Sequence, residues 1–205
     1  MRITKNLLIA MLMTVVLTIL LGLVYPLVVT GLAQALFRDK ANGQLRERDG
    51  RVIGSEIIAQ GFSAPGYFHP RASAAGQGYD TTSSGGTNLG PTNKKLIDAV
   101  TAAVEAARKE NPHAPAPIDM VTTSASGFDP HISPDNAMFQ VPRVAKARGV
   151  SEADLRAFVE TRVEGRQLGF LGEPRVNVLL LNLALDERYA ASRVNSTTPQ
   201  RPTPQ

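Results

Sequence analysis

The sequence predicts a single N-terminal transmembrane helix followed by one α+β domain. The stretch Asn6–Phe37 contains no charged side chain, and it exceeds the about 20 apolar residues with which a helix crosses the hydrocarbon core of a bilayer. The rest of the chain has the length of one ordinary domain and shows no internal repeat. Apolar patterns of the helix type and of the strand type are mixed within it, which indicates an α+β fold.

Two other interpretations of the apolar stretch compete with a retained anchor. A cleavable secretory signal would use Arg2 and Lys5 as its basic region and Ala33-Gln34-Ala35 as its cleavage site, releasing a periplasmic binding protein after Ala35. Signal cores are about 7–15 apolar residues long, and this stretch is far longer. A buried core helix would seldom extend so far without a charge. The length of the stretch and its lack of charge therefore both favour a retained anchor at residues 1–37.

The orientation of this anchor is not decided by its flanking charges. Two basic residues precede the apolar stretch, and more follow it: Arg38, Lys40, Arg46, Arg48 and Arg51. A count of Lys and Arg would keep the large domain in the cytoplasm, but long domains translocate largely regardless of charge. The residues alone leave both orientations open.

Small or polar residues recur at every fourth position of the apolar stretch and alternate with bulky ones. They are Ala10, Thr14, Thr18, Gly22, Pro26, Thr30 and Gln34. Such a stripe lets two helix backbones approach closely within lipid, so it predicts packing against a partner helix. The alternative is that each threonine hydroxyl bonds the carbonyl four residues earlier and the stripe faces lipid.

Composition excludes several function classes. The net charge is +4, but Arg2 and Lys5 account for half of it. Trp is absent and no Lys/Arg cluster with aromatic neighbours occurs, so nucleic-acid binding is not expected. The absence of cysteine excludes disulfides, thiol nucleophiles and cysteine-ligated zinc.

The predicted organisation beyond the anchor is a juxtamembrane linker at 38–53, a domain at 54–189 and a disordered tail at 190–205. The domain opens with a predicted strand at Gly54–Phe62, and a long Gly/Ser-rich loop follows at Ser63–Asn93. A loop of this length is usually functional when it is ordered. An amphipathic helix is predicted at about Asn93–Lys109, and the extended segment Asn111–Pro117 ends it.

The second half of the domain combines a loop, two helices and an apolar segment. A short strand is predicted at Ile118–Thr123 and a polar loop at Thr123–Pro134. Ser133 predicts a helix start, Pro142 a break or restart, and Gly149 a helix end. A capping box at Ser151–Asp154 predicts a helix to about Gln167. For Arg175–Leu185, β-branched residues favour a strand, although its leucines leave a helix open.

No catalytic or metal site is predicted. Ser124, Ser126, Asp129 and His131 suggest a hydrolase triad, but the G-x-S-x-G elbow is absent, and Asp129 before a proline favours turn capping. His69 and His131 lack a metal-ligand spacing. The loop containing Gly85, Gly86 and Gly90 is a weak nucleotide candidate, because a phosphate-binding loop needs lysine directly after glycine. A tight loop with an Asn93-capped helix is the structural alternative.

Five ordered blocks resemble the C subunit of the Kdp potassium-transporting ATPase. They are GYFHPR (Gly66–Arg71), SAAG (Ser73–Gly76), SSGGTNLGPTN (Ser83–Asn93), TTSASGFDPHISP (Thr122–Pro134) and GFLGEPRVNVLLLNLAL (Gly169–Leu185). VYPLVVTG (Val24–Gly31) in the anchor also fits. The match extends from the anchor to about Leu185. Thr87 stands where serine is expected.

The resemblance implies an accessory, non-catalytic subunit of an ATP-driven K⁺ importer in the bacterial inner membrane. Its N-terminus would be cytoplasmic and its large domain extracytoplasmic. The implied partners are a P-type ATPase subunit and a channel-like K⁺-selecting subunit. These would handle ATP and K⁺, since this chain has neither a D-K-T-G-T nor a T-V-G-Y-G motif. The family subunit is described as a catalytic chaperone that raises the ATP affinity of the ATPase subunit.

The small-residue stripe, the Gly/Ser-rich loops and the resemblance together give the candidate site residues. Ser84-Gly85-Gly86 resembles part of the LSGGQ signature of ABC transporters, which leaves direct nucleotide contact as an alternative. No cofactor is otherwise expected to bind this chain. The candidates for docking to partner subunits are Thr14, Thr18, Gly22, Pro26, Thr30, His69, Arg71, Thr87, Asn88, Asn93, Asp129 and His131.

Overall fold

The computed structural model describes residues 2–189, and the predicted tail at 190–205 lies outside them. The chain divides into two compact units, one up to Leu45 and one from Arg46 onward. The second unit mixes helices with short strands, as the sequence predicts.

The N-terminal unit is dominated by one apolar helix, Arg2–Leu36, which has the length and composition to cross a membrane. It consists of α1 (Arg2–Ile19), a π-helical turn (Leu20–Val24) and α2 (Tyr25–Leu36). The π-helical turn ends two residues before Pro26, which has no N–H to donate to the preceding turn. A short helix, α3 (Arg38–Ala41), follows.

A β-hairpin replaces much of the predicted linker. Strand β1 (Leu45–Arg48) pairs with β2 (Arg51–Ser55). Asp49 and Gly50 connect them with φ angles of 53° and 72°, the combination that tight hairpin turns require. The strand predicted at Gly54–Phe62 is therefore wrong beyond Ser55, because the hairpin signal at Asp49-Gly50 places the strand earlier in the chain.

Residues 56–93 form no helix or strand within the described part of the chain. Helix α4 (Lys94–Glu110) confirms the predicted amphipathic helix, and the Asn93 side chain caps it by accepting a 2.9 Å hydrogen bond from the Lys95 N–H. The strand predicted at Ile118–Thr123 is wrong. This segment forms the short helix α5 (Ile118–Val121), in which the Asp119 carboxylate accepts bonds from the backbone and hydroxyl of Ser133.

Helix α6 (Pro134–Arg148) begins and ends where the sequence predicts. Ser133 accepts a 3.0 Å hydrogen bond from the Asn136 N–H, and Gly149 ends the helix in the left-handed conformation at φ 67°. The break predicted at Pro142 is wrong, since the helix continues through it. Val141 and Val144 beside it are fully buried, and this packing offsets the about 3 kcal/mol that an internal proline costs.

The last third of the domain departs most from the predictions. Helix α7 (Glu152–Glu160) stops well before Gln167, and Ser151 makes no side-chain cap bond there, so the predicted capping box is wrong. The strand predicted at Arg175–Leu185 is wrong except for β4 (Val176–Asn177), which pairs antiparallel with β3 (His131–Ile132). Helix α8 (Val178–Arg188) takes over because Asn177 caps it through the Leu180 N–H at 3.1 Å.

The hydrophobic core lies among α6, α7, α8 and the β3–β4 pair. Its largest fully buried apolar members include Ile132, Leu155, Leu181 and Leu185. Phe68, from the irregular segment, is also fully buried in this core. The long loop is therefore part of the packed domain.

Candidate functional site

The structure brings together the two polar loops that the sequence singles out. We call residues 71–90 and 123–131 the two-loop cluster. The Gly85 N–H and the Ser84 hydroxyl both donate to the Ser126 carbonyl at 3.0 Å. The Ser124 N–H donates to the Ala72 carbonyl at 3.0 Å. The two loops thus form a single hydrogen-bonded body.

Ser73 connects the two loops at the centre of the cluster. Its hydroxyl donates to the Gly127 carbonyl at 2.8 Å and accepts from the N–H groups of Ala75 and Tyr79. The Tyr79 hydroxyl donates to the Arg71 carbonyl at 2.7 Å. Burial raises the pKa of Tyr79 to about 12, so this donor stays protonated at neutral pH.

Two glycines are needed for the loops to touch. Gly127 has φ 75°, and a Cβ there would lie 2.6 Å from the Ala75 Cβ. A Cβ on Gly86 would lie 2.8 Å from the Ala125 carbonyl oxygen. The backbone at both positions approaches more closely than a side chain permits. The glycines therefore have a packing role in this cluster.

The Ser84-Gly85-Gly86 candidates for nucleotide contact are engaged within the chain. The Ser84 hydroxyl and the Gly85 N–H both bond the opposite loop, and Gly86 packs against Ala125. A phosphate-binding loop presents its backbone N–H groups to the ligand. The Gly85 N–H is directed at Ser126 in this structure, so nothing in the cluster favours direct nucleotide contact.

Arg71, Asp129 and His131 form a charged brace beside the loops. An Arg71 guanidinium nitrogen lies 3.0 Å from the Asp129 carboxylate, and another donates to the Thr123 carbonyl at 3.4 Å. The His131 N–H donates to Asp129 at 3.0 Å, which confirms Asp129 as a turn cap. Burial raises the pKa of Asp129, but hydrogen bonds from His131 and Arg71 outweigh it, so the pKa is lowered.

Part of the brace has unused hydrogen-bonding capacity. The Arg71 Nε is buried and has no hydrogen-bond partner among the described residues. The His131 ring Nδ1 lies 3.5 Å from Asp129, and its side chain is 27% exposed. No serine hydroxyl bonds that ring within residues 2–189, so the described chain forms no hydrolase triad there.

His69 occupies a different environment. Its backbone N–H donates to the Gln140 side chain at 2.7 Å, and its ring Nε2 donates to the Ala64 carbonyl at 3.1 Å. Burial, followed by the charge of Arg143, lowers the pKa of His69. The ring lines a groove of about 360 Å³ with Phe62 and other residues. Among the described residues, no group of His, Asp and Glu could hold a metal ion.

The remaining loop candidates divide into one structural residue and two exposed ones. Asn93 caps α4, which accounts for it structurally. Thr87 and Asn88 are exposed on the two-loop cluster, and Asn88 has a φ of 52°. A positive φ is uncommon outside glycine, although asparagine tolerates it best. These two side chains are available to a partner.

In the apolar helix, the structure bears on both interpretations of the small-residue stripe. The Thr14 hydroxyl donates to the Ala10 carbonyl at 2.9 Å, as the lipid-facing alternative expects. In a regular α-helix, a stripe made of every fourth residue turns around the helix axis by about 160° between Thr14 and Thr30. The intervening π-helical turn contains an additional residue per turn, and this reduces the rotation of the stripe to roughly 60°. Thr18, Gly22 and Pro26 therefore lie on a straighter stripe than the sequence suggests.

Buried polar side chains that the sequence analysis missed hold the GYFHPR segment in place. The Asn182 amide accepts from the Phe68 N–H at 2.8 Å and donates to its carbonyl at 2.9 Å. Gln140 makes the same pair of bonds with His69. Both amides are 1% exposed. In the sequence, both residues could have been recognised as polar residues on otherwise apolar helix faces.

Two arginines complete this support. Arg148 donates to the Gly66 carbonyl at 2.6 Å and pairs with Asp186 at 2.7 Å, and its guanidinium lies 4.8 Å from the centre of the Tyr67 ring. Arg143 donates to the Tyr67 carbonyl at 2.9 Å and pairs with Glu110 at 2.8 Å. The irregular segment that leads into the two-loop cluster is therefore fixed by side chains.

Comparison with known proteins points to one family. The family model described as "K+-transporting ATPase, c chain" (KdpC) matches residues 7–187. Three relatives named "Potassium-transporting ATPase KdpC subunit" come from Koribacter versatilis, Myxococcus xanthus and Caulobacter vibrioides. Their identities to this chain are 63%, 58% and 57%. The matches cover 89%, 85% and 84% of this chain and 94%, 84% and 88% of the relatives.

Proposed function

Because the chain belongs to the KdpC family of K⁺-transporting ATPase subunits, we propose that it is a non-catalytic assembly subunit of such a complex. Its apolar helix anchors it in the bacterial inner membrane, with the N-terminus in the cytoplasm and the large domain outside. Its two-loop cluster docks on the external face of the channel-like K⁺-selecting subunit. The P-type ATPase subunit carries out the ATP chemistry.

One observation supports this proposal above all: hydrogen bonds and an ion pair join the two glycine-rich loops into one rigid unit. Ser73, Gly86 and Gly127 hold the loops together, and the Arg71–Asp129 pair supports them. Thr87 and Asn88 remain exposed on this body. A preorganised surface pays less entropy on binding than a flexible loop does, which suits a docking role.

The polar groups of the cluster also support a non-catalytic assignment. The Ser84 and Ser73 hydroxyls donate to backbone carbonyls, and the Asp129 carboxylate accepts from Arg71 and His131. A nucleophile requires an adjacent general base. These groups serve structural bonds, so binding is the role that the geometry supports best.

Docking outside the membrane can still change ATP affinity inside the cell. If the domain binds one conformation of the complex more tightly than another, it shifts the population toward that conformation. By linkage, a factor of 10 in ATP affinity corresponds to a coupling free energy of about 1.4 kcal/mol. The proposed chaperone effect therefore needs no contact between this chain and ATP.

The proposal is tested by alanine substitutions at Thr87 and Asn88, and separately at Asp129 and His131. We expect both sets to weaken co-purification with the partner subunits or to raise the K⁺ concentration needed for half-maximal uptake. Thr101→Ala is the matched control, because Thr101 is exposed on α4 and its hydroxyl bonds the Ile97 carbonyl of the same helix. Normal assembly and normal uptake in both sets would refute docking through this cluster.

A further inference from the structure

A second exposed surface lies at the tip of a hairpin that follows α7. We call residues Glu164–Arg175 the hairpin arm and the side chains of Leu168, Phe170 and Leu171 its tip. These side chains are 83%, 70% and 47% exposed. The other large exposed apolar residues described in this unit are separated along the chain: Val52, Ile57, Ile97 and Ile118. Single exposed apolar residues are common, whereas a cluster of three at one turn indicates an interaction site.

The hairpin arm has a defined backbone conformation. Glu164 and Arg175 exchange backbone hydrogen bonds at 2.8 Å and 3.0 Å. Gln167 and Leu171 exchange another pair, both at 2.9 Å. The Phe170 N–H also donates to the Gln167 carbonyl at 3.2 Å, which closes the turn. The tip is therefore presented by a bonded turn at a fixed position on the arm.

Leu168 occupies a position that folding alone does not favour. Leu168 and Gly169 have φ angles of 53° and 83°, the combination found in turns that prefer Asn-Gly or Asp-Gly. A leucine in this region is strained, and here its side chain gains no burial in return. Strain of this kind is typical of functional positions. The leucine is therefore best explained by a contact with another molecule.

The charges of the hairpin arm favour a protein partner over a lipid surface. The arm contains two arginines and two glutamates, and these form the pairs Arg166–Glu173 and Arg175–Glu164. Its net charge is zero. Segments that bind membrane surfaces usually add Lys and Arg, which are attracted to anionic lipids. The arm offers an apolar tip on a neutral stem.

We propose that the tip of the hairpin arm inserts into an uncharged apolar pocket on another subunit of the same complex, outside the bilayer. This inference rests on the proposed function, because it requires the chain to be an assembly subunit. The contact would be a second docking point, separate in sequence from the two-loop cluster. A small group of large apolar side chains that enter one pocket is the usual form of a binding hot spot.

The test uses the full-length chain in mild detergent, titrated onto a complex of the other subunits that was prepared without it. We expect Leu168→Asn to weaken binding about tenfold or more and Phe170→Ser to weaken it roughly 30-fold, as for hot-spot residues. Leu168→Asn should leave the thermal midpoint of the free chain unchanged or raise it, because asparagine suits this turn. If Leu168 had only a structural role, weaker binding would be accompanied by a lower thermal midpoint. Ile118→Asn is the control, since Ile118 is 79% exposed elsewhere.

Each outcome decides the inference. Weaker binding by the two tip variants with an unaffected control would support it. Affinities within twofold of wild type would overturn it, while loss of binding in the two-loop variants alone would leave the proposed function standing. Protection of Phe170 from chymotrypsin when the full chain is reconstituted into neutral phosphatidylcholine vesicles, together with unchanged complex affinity in the tip variants, would assign the tip to lipid and also overturn it. A wild-type chain that does not bind the complex would refute both proposals.

Discussion

Replacing Asn182 with leucine tests whether buried amides hold the irregular segment that leads into the two-loop cluster. The Asn182 side chain pairs with both the N–H and the carbonyl of Phe68, at 2.8 Å and 2.9 Å. Phe68 is fully buried and Asn182 is 1% exposed. Leucine has a similar size but can form neither bond, so both backbone groups would lose their partner.

The expected cost follows from these two groups. Each buried backbone group left without a partner costs about 1–3 kcal/mol. Burying leucine in place of an amide offsets part of this loss. We therefore expect the free energy of unfolding to fall by about 3 kcal/mol. Phe68 lies three positions before Arg71 in the sequence, so the two-loop cluster should also lose part of its support.

The assay is urea denaturation of the full chain in mild detergent, followed by the near-ultraviolet circular dichroism of its tyrosines. Glu187→Leu is the matched control, because it places leucine at an exposed position of the same helix. Surface substitutions of this kind change stability by about 0.5 kcal/mol or less. A loss below about 1 kcal/mol for Asn182→Leu would show that the segment is held by other contacts.

Three further predictions concern pH and the apolar helix. The pKa of His69 is lowered in the folded state, so stability should be lost as pH falls below 6.5, and urea midpoints should show a smaller loss for His69→Gln. The pKa of Asp129 is also lowered, so its contribution is present above 3.8 and lost as pH falls through the lower folded value; Asp129→Asn should remove this acid-dependent change in the urea midpoint. Gly22→Leu should reduce co-purification with the partner subunits without preventing membrane insertion, because leucine would fill the small-residue stripe; full recovery of the partners would show that the stripe faces lipid.

The sequence was most informative where local signals determine the structure. Asn93 and Ser133 are side-chain caps, and Gly149 is a left-handed helix end, so α4 and α6 were predicted close to their observed positions. Local signals were overridden by tertiary packing at Pro142. They were also ambiguous in Arg175–Leu185, where the cap at Asn177 decides for a helix after two residues of strand.

The arrangement of the candidate site depends on contacts between distant positions. Each Gly/Ser-rich loop was recognisable alone, but the bond from Ser84 to Ser126 joins residues 42 positions apart. The clamp of Phe68 by Asn182 joins residues 114 positions apart. No local pattern encodes such pairings. The hairpin arm was missed for a different, local reason: its turn uses Leu168 where asparagine or glycine would have marked it.

If the proposed function is correct, this chain remains anchored and assembles with the partner subunits. The most direct measurement is a pull-down of the tagged chain from mild detergent, with the bound proteins and the N-terminus of the chain identified by mass spectrometry. We predict that a P-type ATPase subunit and a channel-like K⁺-selecting subunit co-purify with a chain that begins at or near Met1. Recovery of a chain cleaved after Ala35, or of an intact chain without either partner, would refute the proposed assembly role.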